Sequence, residues 1–270
     1  MTTVPTKIDK ALLANRFGSR VETYDQVTPV QASMAKYLLD KAVNHFKTRQ
    51  PKRILELGCG TGRMTQGLIA EFPEAEITAV DISAQMIERA RTRNPEGHFQ
   101  VADAENFLQD YSDSFDLIIS NAVIQWFENV DTALKCAYGK LTSQGLMLVS
   151  TFGDQTFTEL NQAFRHAYAV TGQKRMVHTV PMRHTDEWRQ AFPQATVSQQ
   201  LQIRSFVDVR TFLSSVQQAG AVNSLSGPHF LSRQVLREMM QFYTCHFSDL
   251  LTGNVMATYH MVYLQLAKQQ

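Results

Sequence analysis

An apolar run, Arg53-Ile54-Leu55-Glu56-Leu57, passes directly into Gly58-Cys59-Gly60-Thr61-Gly62 and from there into a helical pattern. Glycine at alternate positions lets the backbone turn sharply and lets a ligand approach it closely. In an open α/β sheet such a turn lies at the carboxyl edge of its strand, where these sheets bind ligands. The spacing is Gly-x-Gly-x-Gly rather than Gly-x-Gly-x-x-Gly, and no Lys-Ser or Lys-Thr follows, so the segment is neither a dinucleotide fingerprint nor a phosphate loop. Glu56, just before the glycines, also argues against a pyrophosphate. It suits a ligand with a positively charged amino group.

The surrounding rhythm agrees with that placement. Residues 8–48 read as helices, with Met34, Leu38, Leu39, Val43 and Phe46 at helical spacing and Pro51 closing the segment. Short apolar runs then alternate with amphipathic stretches: strands at 53–57, 76–80, 98–102, 115–120 and 146–151, and helices at 63–72, 84–93 and 130–140. Alternation with short connections means βαβ units, hence a parallel, doubly wound sheet. After Thr151 the rhythm breaks. Thr156-Phe157-Thr158-Glu159 reads as a capping box, with Phe157, Leu160, Phe164 and Tyr168 on one helical face. A short helix follows around Asp186–Phe192. Val197, Gln199, Leu201 and Ile203 alternate as in a half-buried strand, and helices at about 208–219 and 232–246 precede a final strand from Val255 to Leu266. The 270 residues fit one domain: N-terminal helices (1–48), a cofactor-binding core (50–151), a lid or substrate insertion over the carboxyl edge (152–193) and the completion of the sheet (194–270).

Global composition excludes little and selects no partner. A net charge of +1 points to neither nucleic acid nor a membrane surface. No stretch approaches the length of a spanning helix, and no apolar run at the start resembles a signal peptide. Cys59, Cys136 and Cys245 are scattered without metal-ligand spacing, which predicts a reduced, cytoplasmic protein with no metal site.

Two further acids stand at strand ends. Asp81 lies nineteen residues past Gly62 and can accept from both hydroxyls of a ribose. Asp103, in Ala102-Asp103-Ala104-Glu105, can accept from an adenine amino group. Each also precedes a helix and so could serve only as an N-cap.

Glu56–Gly62, Asp81, Asp103 and the strand end at Asn121 are similar to the motifs of class I S-adenosylmethionine-dependent methyltransferases, across about 50–151. The resemblance implies a Rossmann-like sheet of seven strands, mostly parallel with the last antiparallel. It implies S-adenosylmethionine as cofactor and S-adenosylhomocysteine as its product. Glu56 would lie near the methionine part, Asp81 and Ile82 near the ribose, Asp103 and Ala104 near the adenine, with Gly58, Gly60, Gly62 and Asn121 completing the site.

Three more stretches narrow the resemblance: Arg16–Asp25, Ser120-Asn121-Ala122-Val123-Ile124-Gln125-Trp126, and Ser150-Thr151-Phe152-Gly153 ahead of a helix. In that order they resemble the malonyl-acyl-carrier-protein O-methyltransferases, which start the pimeloyl branch of biotin synthesis. Trans-aconitate methyltransferases share the first two in looser form. Gly153-Asp154 departs slightly from the commoner small-residue turn. The implied reaction is methylation of the free carboxylate of a malonyl thioester. Such a carboxylate, with a pKa of about 3.5–4, is already ionised and needs no general base. Holding it in line with the methyl group and excluding water would suffice, with Tyr24, Gln125 and an arginine as the orienting candidates. From Leu160 through Thr185 there is no Asp or Glu, while Arg165, Lys174, Arg175 and Arg183 are present. Lys174, Arg175 and Arg183 are therefore candidates for docking an acidic carrier protein, or an arginine among them for binding the malonyl carboxylate. An ordinary solvated face is the competing reading. Two other functions stay open: methylation of a free small carboxylic acid, and cofactor binding without catalysis. The expected state is a monomer.

Overall fold

The computed structural model describes residues 8–219 and 231–269. Residues 1–7 and, within the stretch expected to complete the sheet, 220–230 and 270 lie outside the described residues.

Three helices come first: α1 (Lys10–Gly18), α2 (Tyr24–Val27) and α3 (Pro29–His45). The alternating core follows as β1 (Arg53–Leu57), α4 (Arg63–Glu71), β2 (Glu76–Asp81), α5 (Ala84–Arg93), β3 (His98–Val101) and α6 (Ala104–Asp110). It continues with β4 (Phe115–Asn121), a 3-10 turn at Ile124–Trp126, α7 (Val130–Gly139) and β5 (Leu141–Phe152). The remainder comprises α8 (Thr158–Thr171), α9 (Thr185–Ala191), β6 (Thr196–Phe206), α10 (Val209–Gln218), α11 (Arg233–Phe247) and β7 (Val255–Ala267). The seven strands form one sheet in the order β3-β2-β1-β4-β5-β7-β6. β1 to β5 run parallel, and β7 is antiparallel to both of its neighbours, as expected.

Helices cover both faces, so the central strands are buried and largely apolar; β4 is buried from Phe115 to Ser120. Residues of α3 and α4 pack on one face, through Met34, Leu38 and Leu68. Those of α6, α7 and α9 pack on the other, through Phe107, Leu134 and Trp188. A further apolar cluster joins α8, α10 and α11 to β7 around Tyr243 and Phe212, beyond the end of β5. Cys59 is a small buried filler against Ala90 and Phe99.

Three local readings need correction. β5 starts at Leu141, five residues before the apolar run, because the chain bends through Gln144 at φ 63° and Leu141 still pairs with Phe115. Thr156–Glu159 is not a capping box. Phe157 precedes α8 in a left-handed conformation (φ 57°, ψ 37°) without a side-chain cap. The Thr156 hydroxyl instead bonds the main chain of His260, and Glu159 accepts from Thr258 N–H at 3.0 Å and its hydroxyl at 2.5 Å. Those polar groups tie α8 to β7 rather than to itself. Finally, β6 exists where expected, but only Val197 of its apolar side packs on the core; further along, Leu201 is 57% and Ile203 62% exposed. The pairing of Arg204 with Ala257 and Phe206 with Val255 aims the alternate residues toward the inside instead.

Candidate functional site

The glycine bend is held open by its neighbours. Gly60 has φ 54°, and a Cβ there would meet nothing closer than the Tyr24 ring at 4.0 Å. The space beside it is room for a ligand. Gly62, at φ 76°, serves packing instead: a Cβ would come within 3.0 Å of the Ala90 backbone in α5. Gly62 accordingly does not border the cavity, unlike the other cofactor candidates.

Gly58, Gly60, Asp81, Ile82, Asp103, Ala104 and Asn121 line one recess roofed by α1 and Tyr24. Its neighbour contains Glu56, again with Gly58, Gly60 and Asn121. Asp81 accepts from Gly60 N–H and Ser83 N–H, each at 2.9 Å. Burial raises its carboxyl above the ordinary value, against the pull of those amides. Asp81 is thus not the cap of α5, a place taken by Ser83. Asp103 does cap α6, accepting from Glu105 N–H at 3.0 Å, and still borders the recess. Glu56 is 1% exposed and accepts from the Thr65 hydroxyl at 2.6 Å; burial pushes its carboxyl up to about 8. Asn121 donates to the Gln31 carbonyl at 3.0 Å and accepts from the Ser150 hydroxyl at 2.7 Å, which locks its orientation.

The N-terminal segment is bolted over these recesses by charge. Lys10 reaches Glu105 at 2.8 Å and Asp103 at 3.4 Å. Asp25 receives Arg93 at 2.5 Å, Arg63 at 3.2 Å and the Thr61 hydroxyl at 2.7 Å, joining α2 to the glycine bend and α5. Burial opposes the ionisation of Asp25, yet these donors hold its carboxyl below the ordinary value. Tyr24, beside it, is half-buried; desolvation of its hydroxyl and the nearby Asp81 and Asp25 keep its phenol protonated.

A larger cavity of about 640 Å³ adjoins the recesses. Tyr24 borders all three, and Phe17, Ala122 and Trp126 are shared with the recess that Asp81 and Asp103 line. Gln125 lines it, its amide fixed by Ala122 O at 2.8 Å and the Thr151 hydroxyl at 3.2 Å. Trp126 is buried against Phe17, in the 3-10 turn rather than in the strand. Three arginines border the cavity, Arg165, Arg175 and Arg204, against one acid, Asp154. Asp154 lies 2.9 Å from the His184 imidazole and 3.5 Å from that of His260.

The proposed docking residues part company. Arg175 lines the cavity and Lys174 stands exposed next to it. Arg183 does neither: it donates to Asp131 at 2.6 Å and lies over the Trp188 ring at 4.7 Å, anchoring the segment to α7 and α9. Sequence reasoning missed Arg204, Tyr259 and Phe206 as cavity residues. The period of two in β6 held the signal, but the apolar side was taken to face inward. Among the described residues, no group of three or more His, Cys, Asp or Glu could hold a metal ion, and no helix is long and apolar enough to cross a membrane.

The family described as "Methyltransferase domain" matches residues 55–147. The malonyl-[acyl-carrier protein] O-methyltransferase of Anoxybacillus flavithermus is 37% identical over 268 residues, covering 97% of this chain and 99% of that protein. The protein of the same name from Bacillus cytotoxicus is 35% identical over 269 residues, covering 97% and 93%. Among solved structures, the YcgJ protein from Bacillus aligns over 87% of this chain and 99% of its own, with a TM-score of 0.59 at 16% identity. The plantazolicin methyltransferase BpumL, in complex with a triazolic desmethylPZN analog and SAH, aligns over 97% of both chains with a TM-score of 0.52 at 14% identity. Those two likenesses show the shared fold.

Proposed function

Since this chain belongs to the malonyl-[acyl-carrier protein] O-methyltransferase family, we propose that it transfers a methyl group from S-adenosylmethionine to the free carboxylate of a malonyl thioester on acyl-carrier protein. That reaction opens the pimeloyl branch of biotin synthesis. The observation that carries the reading is the junction at Tyr24, where recesses lined by Glu56, Asp81 and Asp103 adjoin a cavity bordered by three arginines and one acid.

The residues present fit the cofactor. Buried Glu56 answers an ammonium group, Asp81 retains lone pairs for ribose hydroxyls beside the amides it already binds, and the open side of Gly60 admits the ligand. When bound, S-adenosylmethionine supplies a methyl group on a sulfonium; a carboxylate oxygen forms the new C–O bond while the C–S pair returns to sulfur. The carboxylate arrives ionised, so the chain needs no base. Its work is placement and exclusion of water. Tyr24 supplies a protonated hydroxyl at the junction, and Gln125 a fixed amide on the cavity wall. Apolar walls from Phe152, Phe157 and Trp126 keep water from the reacting groups.

In this reading the acyl arm enters past the exposed Lys174 and Arg175, which attract an acidic carrier protein. The enzyme works as a cytoplasmic monomer, with residues 152–193 forming the substrate lid of a single domain.

The test is to offer malonyl-acyl-carrier protein and, separately, trans-aconitate with methyl-labelled cofactor. Label should enter the carrier-bound acid. Label entering only the free acid would replace this reading with the small-acid one. Cofactor binding with transfer to neither would favour a binding protein without turnover.

A further inference from the structure

We infer that Arg204 is the residue that recognises the charged carboxylate of the acyl substrate, an assignment that rests on the function proposed above. The β6–β7 pair runs on past the end of β5: Phe152 lies level with Met261, while Arg204 pairs four residues further out, opposite Ala257. The pair therefore forms a wall over the carboxyl edge of the sheet, and Arg204 projects from the side of that wall which lines the cavity.

Three arginines border this space, and they are not equivalent. Arg165 and Arg175 are exposed, whereas Arg204 is half-buried. Its side of the wall also carries Phe206 and Tyr259, both lining the cavity. Burial pushes the Tyr259 phenol up to about 12, and the Arg204 charge acts on it in the opposite sense, so the guanidinium stands close to this wall. Asp154, the acid bordering the cavity, is engaged by His184. Among the described residues, none forms an ion pair with Arg204.

A half-buried guanidinium without a carboxylate partner is costly to maintain unless an anion completes it. Its planar fork suits a carboxylate in particular. Methylation converts that anion into a neutral ester. The same residue that selects the acid therefore stops holding the product.

The experiment measures binding rather than turnover, with S-adenosylhomocysteine saturating the protein. Malonyl-pantetheine and its methyl ester, identical but for the charge, are titrated into the wild-type chain, Arg204→Ala and Arg204→Lys. The wild-type chain should prefer the acid. Arg204→Ala should lose affinity for the acid on the order of thirty-fold, as for a desolvated charge pair cut on one side, and keep its affinity for the ester. Arg204→Lys should recover part of the loss. Unchanged affinity for S-adenosylhomocysteine verifies that the variants are folded. A preference for the acid that survives in Arg204→Ala, or an equal weakening of acid and ester, overturns the assignment while leaving the proposed function intact. A wild-type chain with no preference for the acid would overturn both.

Discussion

Glu56 spends its charge only when something cationic arrives. With its carboxyl pushed up to about 8 from an ordinary 4.5, it is protonated at neutral pH in the cofactor-free protein. The unfolded chain gives up that proton at the ordinary value. Between about 4.5 and 8 the folded state thus binds more protons, and this group's contribution to stability falls as pH rises. An ammonium beside Glu56 favours the ionised form, so cofactor binding should release a proton below about pH 8 and tighten as pH rises toward it. Glu56→Gln should melt above the wild-type chain at alkaline pH and match it near pH 5. It should also lose the pH dependence of S-adenosylhomocysteine affinity. Melting curves and titrations across that range check both signs; a wild-type melting difference that does not grow with pH would mean Glu56 is already ionised. Asp81 was legible as an acid at a strand end, but its bond to the Gly60 amide was not, because it depends on how β1 and β2 sit side by side.

At the scale of elements, much of the alternating core could be read from periodicity, since buried parallel strands are continuous apolar runs. The misreadings came where a polar or exposed side has a purpose that hydrophobicity does not report. β6 is an edge strand whose inner side puts Arg204 and Phe206 on the cavity wall, while Leu201 and Ile203 face out. Thr156 and Glu159 have the spacing of a cap and are used to fasten α8 onto β7. Arg183 and Arg175 look alike in sequence, eight residues apart, and only the fold separates an anchor from a cavity residue. Charge reversal should tell them apart. Lys174→Glu with Arg175→Glu should raise KM for the carrier-bound substrate and flatten its dependence on salt, with melting unchanged. Arg183→Glu should instead cost about 1 kcal/mol of stability, from a partly exposed ion pair and a cation–π contact, and leave KM alone. Steady-state kinetics at two ionic strengths beside thermal melts give the answer. Equal KM in the double variant would remove the docking role.

Over the whole molecule, a chain of net charge +1 sets three arginines against one acid around a single cavity. The sheet supplies the recesses proposed for the cofactor at the ends of β1, β2 and β4, and the later elements help to build the cavity proposed for the acyl group beyond β5. The ion pairs of Lys10 and Asp25 hold the N-terminal helices across the junction. Tyr24 sits where the compartments meet, which is where a methyl group must pass from one to the other. All of this presupposes that the glycine bend receives a nucleoside amino acid. Calorimetric titration of the purified chain with S-adenosylhomocysteine tests it most directly, with Asp81→Asn as the partner experiment. One saturable site is predicted, weakened roughly tenfold or more in the variant by loss of charge-assisted bonds to the ribose. No heat in the wild-type chain, or the same affinity in both, would contradict the account.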